Sequence, residues 1–298
     1  MEVLMTMTHC LKKVLAVLCL AAAPFVASAA EPAQVVDTET GKTVSVTDAA
    51  SRLASYDVVV LGEFHDSMAI HEAELAFLKA LRKESGPRQV LSMEMFERDT
   101  QSLLDDYLAG RVTEEAFLKG SRPWPQYRDA YRPLIEFAKG EHMTVLGGNI
   151  PRRMAAVLAK TGSLDNVAPE DRKWLPRKTY APEGQYKTDF MTAMNGMAAH
   201  GMPINPARLT WMYEAQCLKD DAMAESIANE LTAEKDVHIL HLVGEFHSHN
   251  RLGLVAKLQA LAPKAKIAVL APVKTEDGTY KVQPGDKEKA DYFLIIKQ

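Results

Sequence analysis

Two rhythms of apolar residues alternate along the chain. Asp57–Leu61 is a β-branched run that stops at Gly62, the pattern of a strand buried on both faces. Ile70, Phe77, Leu78 and Leu81 then fall on one face of a helix over about 67–83, with Asp66 or Ser67 as its cap. Further strands are predicted at 88–95, 143–147, 237–243, 267–272 and 292–296. Helices are predicted at 48–55, 100–109, 113–119, 131–139, 209–231 and 250–261, with one more opening at Pro151. Val35-Val36 and Thr43–Val46 flank a turn and read as a hairpin. Alternation of this kind predicts an α/β fold, a mostly parallel sheet with helices on both faces.

One stretch breaks the rhythm. Residues 161–208 contain Pro169, Pro176, Pro182, Pro203 and Pro206 with aromatic residues between them, and read as an irregular helical insertion over one end of the domain. Within it Met191 and Met194 share a helix face, suited to filling gaps or to flooring a flat ligand.

The N-terminus has the pattern of an export leader. Lys12-Lys13 precedes the apolar stretch Val14–Val26, and Ala27-Ser28-Ala29 is a small-x-small cleavage signal. The expected organisation is a signal peptide over 1–30 and a single α/β domain over 31–298. Losing Lys12, Lys13 and Glu2 with the leader takes the formal charge from −4 to −5. A mildly acidic domain without a basic cluster argues against nucleic-acid binding. Cys10 and Cys19 leave with the leader, so Cys217 has no intramolecular disulfide partner and is expected to be buried.

The strongest chemical signal is an internal repeat. Val58–Leu61 runs into Gly62-Glu63-Phe64-His65, and Leu240–Val243 runs into Gly244-Glu245-Phe246-His247. The repeat suggests two related halves whose equivalent strand ends face one site, where open α/β sheets bind ligands. Glu94 and Asn149 end two other predicted strands. His65, His247, Glu63 and Glu94 make a plausible first set of ligands for a divalent metal, and equally a general acid–base group without metal. His71 reads as solvent-facing, His142 as incidental, and His249 as a partner that orients His247. Tyr180, Tyr186 and Tyr213, with Tyr127 and Tyr131, are candidate haem ligands, because tyrosinate can hold ferric haem iron. His200 is a second kind of haem candidate, and Arg152 with Arg153 can pair with a propionate or phosphate.

At these residues the chain resembles the ChaN-like haem-binding uptake proteins. The resemblance lies in Gly62–Asp66, Ser92–Arg98, Asn149–Arg152, Glu214–Ala224 and Gly244–His247 with Arg251 and Gly253, in order over about 57–261. That family sits in a superfamily with Tiki-type proteases, TraB proteins and erythromycin esterases, which share two Gly-x-x-His motifs and a separate glutamate, here matching His65, His247 and Glu94. The resemblance implies haem as cofactor or cargo, a role in haem and iron uptake in the periplasm, pairing of two subunits, and an outer-membrane haem receptor as partner. It implies iron held by a tyrosine with histidine assisting. Lipoprotein members carry a lipidation signal, and this leader departs from it, since bulky Leu18 precedes Cys19. The alternative it leaves open is a metal-dependent hydrolase, protease or esterase, using Glu63, His65, Glu94 and His247. A third reading makes the same residues a scaffold.

Overall fold

The computed structural model describes residues 33–198 and 205–298. Eight strands form one sheet in the order β2-β1-β8-β7-β3-β6-β4-β5. They are β1 Gln34–Asp37, β2 Thr43–Val44, β3 Val58–Glu63, β4 Gln89–Glu97, β5 Val145–Asn149, β6 His238–Gly244, β7 Ile267–Thr275 and β8 Tyr292–Lys297. Only β1 pairs antiparallel, with β2 and with β8; every other ladder is parallel. The α-helices are α1 Val46–Leu53, α2 Met68–Ser85, α3 Gln101–Leu108, α4 Glu114–Ser121, α5 Arg132–Gly140, α6 Arg152–Thr161, α7 Gln185–Ala198, α8 Pro206–Ala233, α9 Glu245–Ser248, α10 Leu254–Leu261 and α11 Asp286–Lys289.

Period-two alternation assigns the strand residues to two cores. Leu61, Leu91, Met93, Leu240 and Leu242 pack under α1–α5, against Leu53, Phe77, Leu104, Phe117 and Leu134. Val58, Val60, Val90, Ile239 and Val243 pack under Met223 and Ile227 of α8 and Leu254 and Leu258 of α10. Both faces are therefore covered, which is why β3 and β4 have no exposed residue. Truncating a fully buried ring such as Phe77 to alanine in such a core costs about 3–5 kcal/mol.

This two-sided wrapping positions the site. The chain leaves β3 for α2 on one face and leaves β6 for α10 on the other, although β3 and β6 are neighbours. A crevice must open between their carboxyl ends, at the switch point where such sheets bind ligands.

Three local expectations are corrected. The second hairpin strand ends at Val44, because Ser45 caps α1 by accepting from the Asp48 N–H at 3.0 Å. The helix expected from Asn250 begins at Leu254, because Asn250, Arg251 and Gly253 take left-handed backbone conformations. His71 is buried, 4% exposed, rather than facing solvent. The insertion holds short turns, then α7, and its Met191 and Met194 pack beside Tyr186, Phe190 and Tyr213. The expected leader and His200 lie outside the described residues.

Candidate functional site

The two tetrapeptides end on adjacent strands, yet the chain treats them differently. The β3–β6 ladder pairs Gly62 with Val243 and Glu63 with Gly244. β3 continues through Glu63, which is 1% exposed, whereas β6 stops at Gly244 and Glu245 opens the single turn α9. Each glycine makes room for the other copy. A Cβ on Gly244 would lie 2.8 Å from His65 Nε2, and one on Gly62 would lie 2.9 Å from Ser248 Oγ and 3.3 Å from the Glu245 Cα. Side chains there would push the copies apart, so glycine is required for close approach rather than for turning.

Between them lies a cavity of about 530 Å³. Glu63, His65, Glu94, Gly244 and His247 form its base, and Phe64, Trp124 and Phe246 bring aromatic surface to it. Asp66, Gln126, Gln216, Lys219, Glu245 and Lys274 also line it. All four residues expected to share a strand-end site, His65, His247, Glu63 and Glu94, thus meet in one place.

Each histidine is held by a carboxylate. His65 Nδ1 donates to Glu63 Oε1 at 2.5 Å, and the side chain remains 36% exposed. The ring stands edge-on to Trp124, with centroids 4.7 Å apart. Burial works against charge on His65, but the hydrogen bond to Glu63 and the field of Glu94 raise its pKa above the usual histidine value. His247 Nδ1 donates to Asp220 Oδ1 at 2.6 Å, and its Nε2 lies 3.3 Å from Glu94 Oε1. Burial again opposes the charge, but Glu94 and Asp220 outweigh it and push His247 up to about 9. At neutral pH it is an imidazolium clamped between two carboxylates. Burial disfavours ionised Glu94, but His247, Lys219 and His65 hold it below the usual carboxylate range. Its Oε2 accepts from the Gly244 N–H at 2.8 Å, fixing the start of the second tetrapeptide. The Gln216 amide lies 3.1 Å from both His247 ring nitrogens.

Behind Glu63 sits a second layer. Tyr131 donates to Glu63 Oε1 at 2.7 Å. His71 contacts Glu74 Oε2 at 2.9 Å through Nδ1 and the His65 carbonyl at 3.2 Å through Nε2. Burial and the charge of Glu63 push the Glu74 pKa well above the usual carboxylate range. Glu63 Oε2 and Glu74 Oε1 are buried and have no hydrogen-bond partner among the described residues. Glu63, His71 and Glu74 present ligand atoms within 4.8 Å of one another, a spacing that accepts a divalent cation. The metal set expected from the sequence has a different character, since both ring nitrogens of His247 face carboxylates.

A family model described as haem-binding uptake, Tiki superfamily, ChaN matches residues 49–258. The chain belongs to that family. Its fold is similar to that of ChaN of Campylobacter jejuni, solved as a cofacial haem complex, with TM-score 0.66 and 18% identity over 90% of this chain and 98% of that chain. It also matches a mutant of the erythromycin esterase EreC in its open conformation, at TM-score 0.46 and 15% identity over 88% of this chain and 83% of that chain. No curated protein matches the sequence.

The haem candidates of this ChaN-family chain fall elsewhere. Tyr186 and Tyr213 are buried, donating to Asp220 Oδ2 at 2.8 Å and to the Pro182 carbonyl at 2.5 Å. Tyr186 thereby braces the carboxylate that holds His247. Tyr180 is 66% exposed and lines a separate groove beside Lys257 and Leu261. Arg152 donates to Glu97 at 2.7 Å and Arg153 pairs with Asp99 and Asp171, so both belong to an ion-pair network outside the cavity. Asn149 holds the Glu94 carbonyl at 3.0 Å, supporting the strand end from behind. His142 is exposed in a turn. His249 does not orient His247; its Nδ1 pairs with Glu245 at 2.6 Å, because Asp220 already occupies that role.

Gln216 and Asp220 lie in the Glu214–Ala224 stretch that carries the resemblance, with no role assigned to them there, and Trp124 and Glu74 were not expected at the site. Asp220 precedes Met223 by three residues and Ile227 by seven, so it interrupts an apolar stripe, and that interruption was the available signal.

Proposed function

We propose that this protein binds haem in the cavity between the two tetrapeptides, with His65 as the side chain offered to the iron. The observation that carries this is the state of His65. Glu63 engages Nδ1, the ring is the partly exposed one of the pair, and Nε2 is left as its ligand atom. A histidine held this way by a carboxylate is oriented and made a stronger donor. The surroundings fit haem, because the cavity size lies within the ~300–1,000 Å³ of cofactor pockets and Phe64, Trp124 and Phe246 offer apolar faces for a flat ring. Haem would supply an iron centre that the His65 imidazole could bind. Every other residue serves placement: Glu63, Tyr131 and Glu74 fix His65, while Glu94, Asp220 and Tyr186 fix His247 and the turn bearing it. Family membership supports the same reading, as does the cofacial haem of the Campylobacter jejuni protein.

The reading extends to haem and iron uptake in the periplasm, after export by the leader-like N-terminus, with a homodimer and an outer-membrane haem receptor as partners. Hemin titration of the purified domain tests the core of it. A saturable Soret shift is expected, and a featureless titration would overturn it. Mass spectrometry of the protein recovered from periplasm tests export, which predicts a chain starting near Ala30.

The 2.5 Å Glu63–His65 pair also favours a second reading, hydrolysis, with His65 as general base and Glu94 or a cation at Glu63–His71–Glu74 assisting. Ester or peptide turnover lost in His65→Ala would support it. No turnover on a broad substrate panel would remove it.

A further inference from the structure

The cavity carries two ammonium groups that no carboxylate of the described residues holds directly. Lys219 on α8 and Lys274 near the end of β7 both line it. Among the described residues neither has a hydrogen-bonded or ion-paired partner. Three other lysines are ion-paired: Lys257 binds Asp221, Lys187 binds Glu183 at 2.6 Å, and Lys289 binds Asp286 at 3.0 Å. Lys274 is held over the Phe64 ring, 4.6 Å from its centroid, so its charge is presented beside an apolar face. Lys219 is close enough to Glu94 to help keep it ionised.

Most acids around the cavity have hydrogen-bonded partners other than these lysines. Glu63 is engaged by His65 and Tyr131, and Glu94 and Asp220 enclose His247. Glu245 is taken by His249, and Asp66 is exposed to solvent. The buried acids thus have direct partners of their own, and Lys219 and Lys274 have no hydrogen-bonded or ion-paired partner among the described residues, Lys274 lying over the Phe64 ring. A ligand that satisfies this surface is flat and apolar with acidic side arms.

We infer that Lys219 and Lys274 form a carboxylate seat that takes the propionates of haem, so that the site selects the diacid porphyrin over a neutral one. This rests on the haem reading and specifies which chemical groups of the ligand are recognised. Charge-assisted contacts of this kind give register as well as affinity, and at a half-exposed rim they are screened by salt.

The test compares hemin with hemin dimethyl ester, each titrated by Soret absorbance in matched detergent. Wild-type protein should prefer hemin by about tenfold, the effect of two charge-assisted contacts at a partly exposed rim. The preference should shrink with added salt. Lys219→Ala with Lys274→Ala should abolish it while leaving ester affinity unchanged, and Lys219→Arg with Lys274→Arg should restore it. Unaltered thermal melting would show that each variant is folded. Equal wild-type affinity for both compounds overturns the seat and leaves the haem reading standing, as does a preference that survives the double alanine variant. Failure to bind either compound overturns both.

Discussion

Gly-Glu-Phe-His occurs twice, and the two copies share a sequence but not a fate. In the first, Glu63 is the last residue of a buried strand, and His65 is left partly exposed above the second copy's glycine. In the second, Glu245 begins a helical turn, and His247 is driven into the interior between Glu94 and Asp220. The difference comes from what each strand end meets. The first faces Tyr131, His71 and Glu74, a polar layer that can absorb a carboxylate, whereas the second faces Asp220 of α8, which can absorb a cation. A repeated motif therefore yields one histidine left partly exposed at the cavity and one locked into the structure.

Breaking the locked copy should have the largest effect. Asp220→Ala leaves a buried imidazolium with one partner fewer, and should lower unfolding free energy by about 3–5 kcal/mol in denaturant titration. A loss under 1 kcal/mol would mean that His247 is neutral and the clamp is absent.

The same copy should give the protein a pH signature. The His247 pKa is raised from 6.5 to about 9, so its stabilisation is fully present below pH 6.5 and is lost as pH rises through about 9. Stability should fall by roughly 3 kcal/mol across that window, and the slope should vanish in His247→Gln. Glu94, held below the usual carboxylate range, acts in the opposite sense, with its contribution lost as the medium turns acid.

Contact between the copies is sharpened by Gly244→Ala. The new methyl would meet the His65 ring at 2.8 Å, and should cost about 1–3 kcal/mol while displacing His65. Chemical-shift perturbation confined to residues away from His65 would count against the reciprocal packing. The smallest stability effect belongs to His65→Ala, about 1–2 kcal/mol, since that ring is partly solvated and Tyr131 still donates to the buried Glu63. A large loss would make His65 structural, like its counterpart.

Much of this arrangement could be read from one dimension. The Val58–Leu61 run, the Gly62 stop and the polar residues at strand ends are local patterns, and they gave the parallel sheet, its two covered faces and the meeting of His65, His247, Glu63 and Glu94. What was hidden depends on contacts between distant segments. His71 lies seven residues before Leu78, on the same buried stripe as Glu74, yet burial of a histidine becomes credible only with a carboxyl and the His65 carbonyl there to receive it. Asp220 and Asp221 are adjacent and chemically alike. The packing of α8 turns the first toward His247 and the second toward Lys257. Tyr186 and Tyr213 look like ligands because phenols can bind iron, but their hydroxyls are taken by Asp220 and the Pro182 carbonyl.

The division of labour between the copies is tested most directly by hemin titration of His65→Ala beside the wild-type protein, following the Soret band. The structure predicts a folded variant whose Soret band no longer shows an imidazole-ligated iron. A His65→Ala protein that binds hemin with the wild-type spectrum and affinity would contradict it.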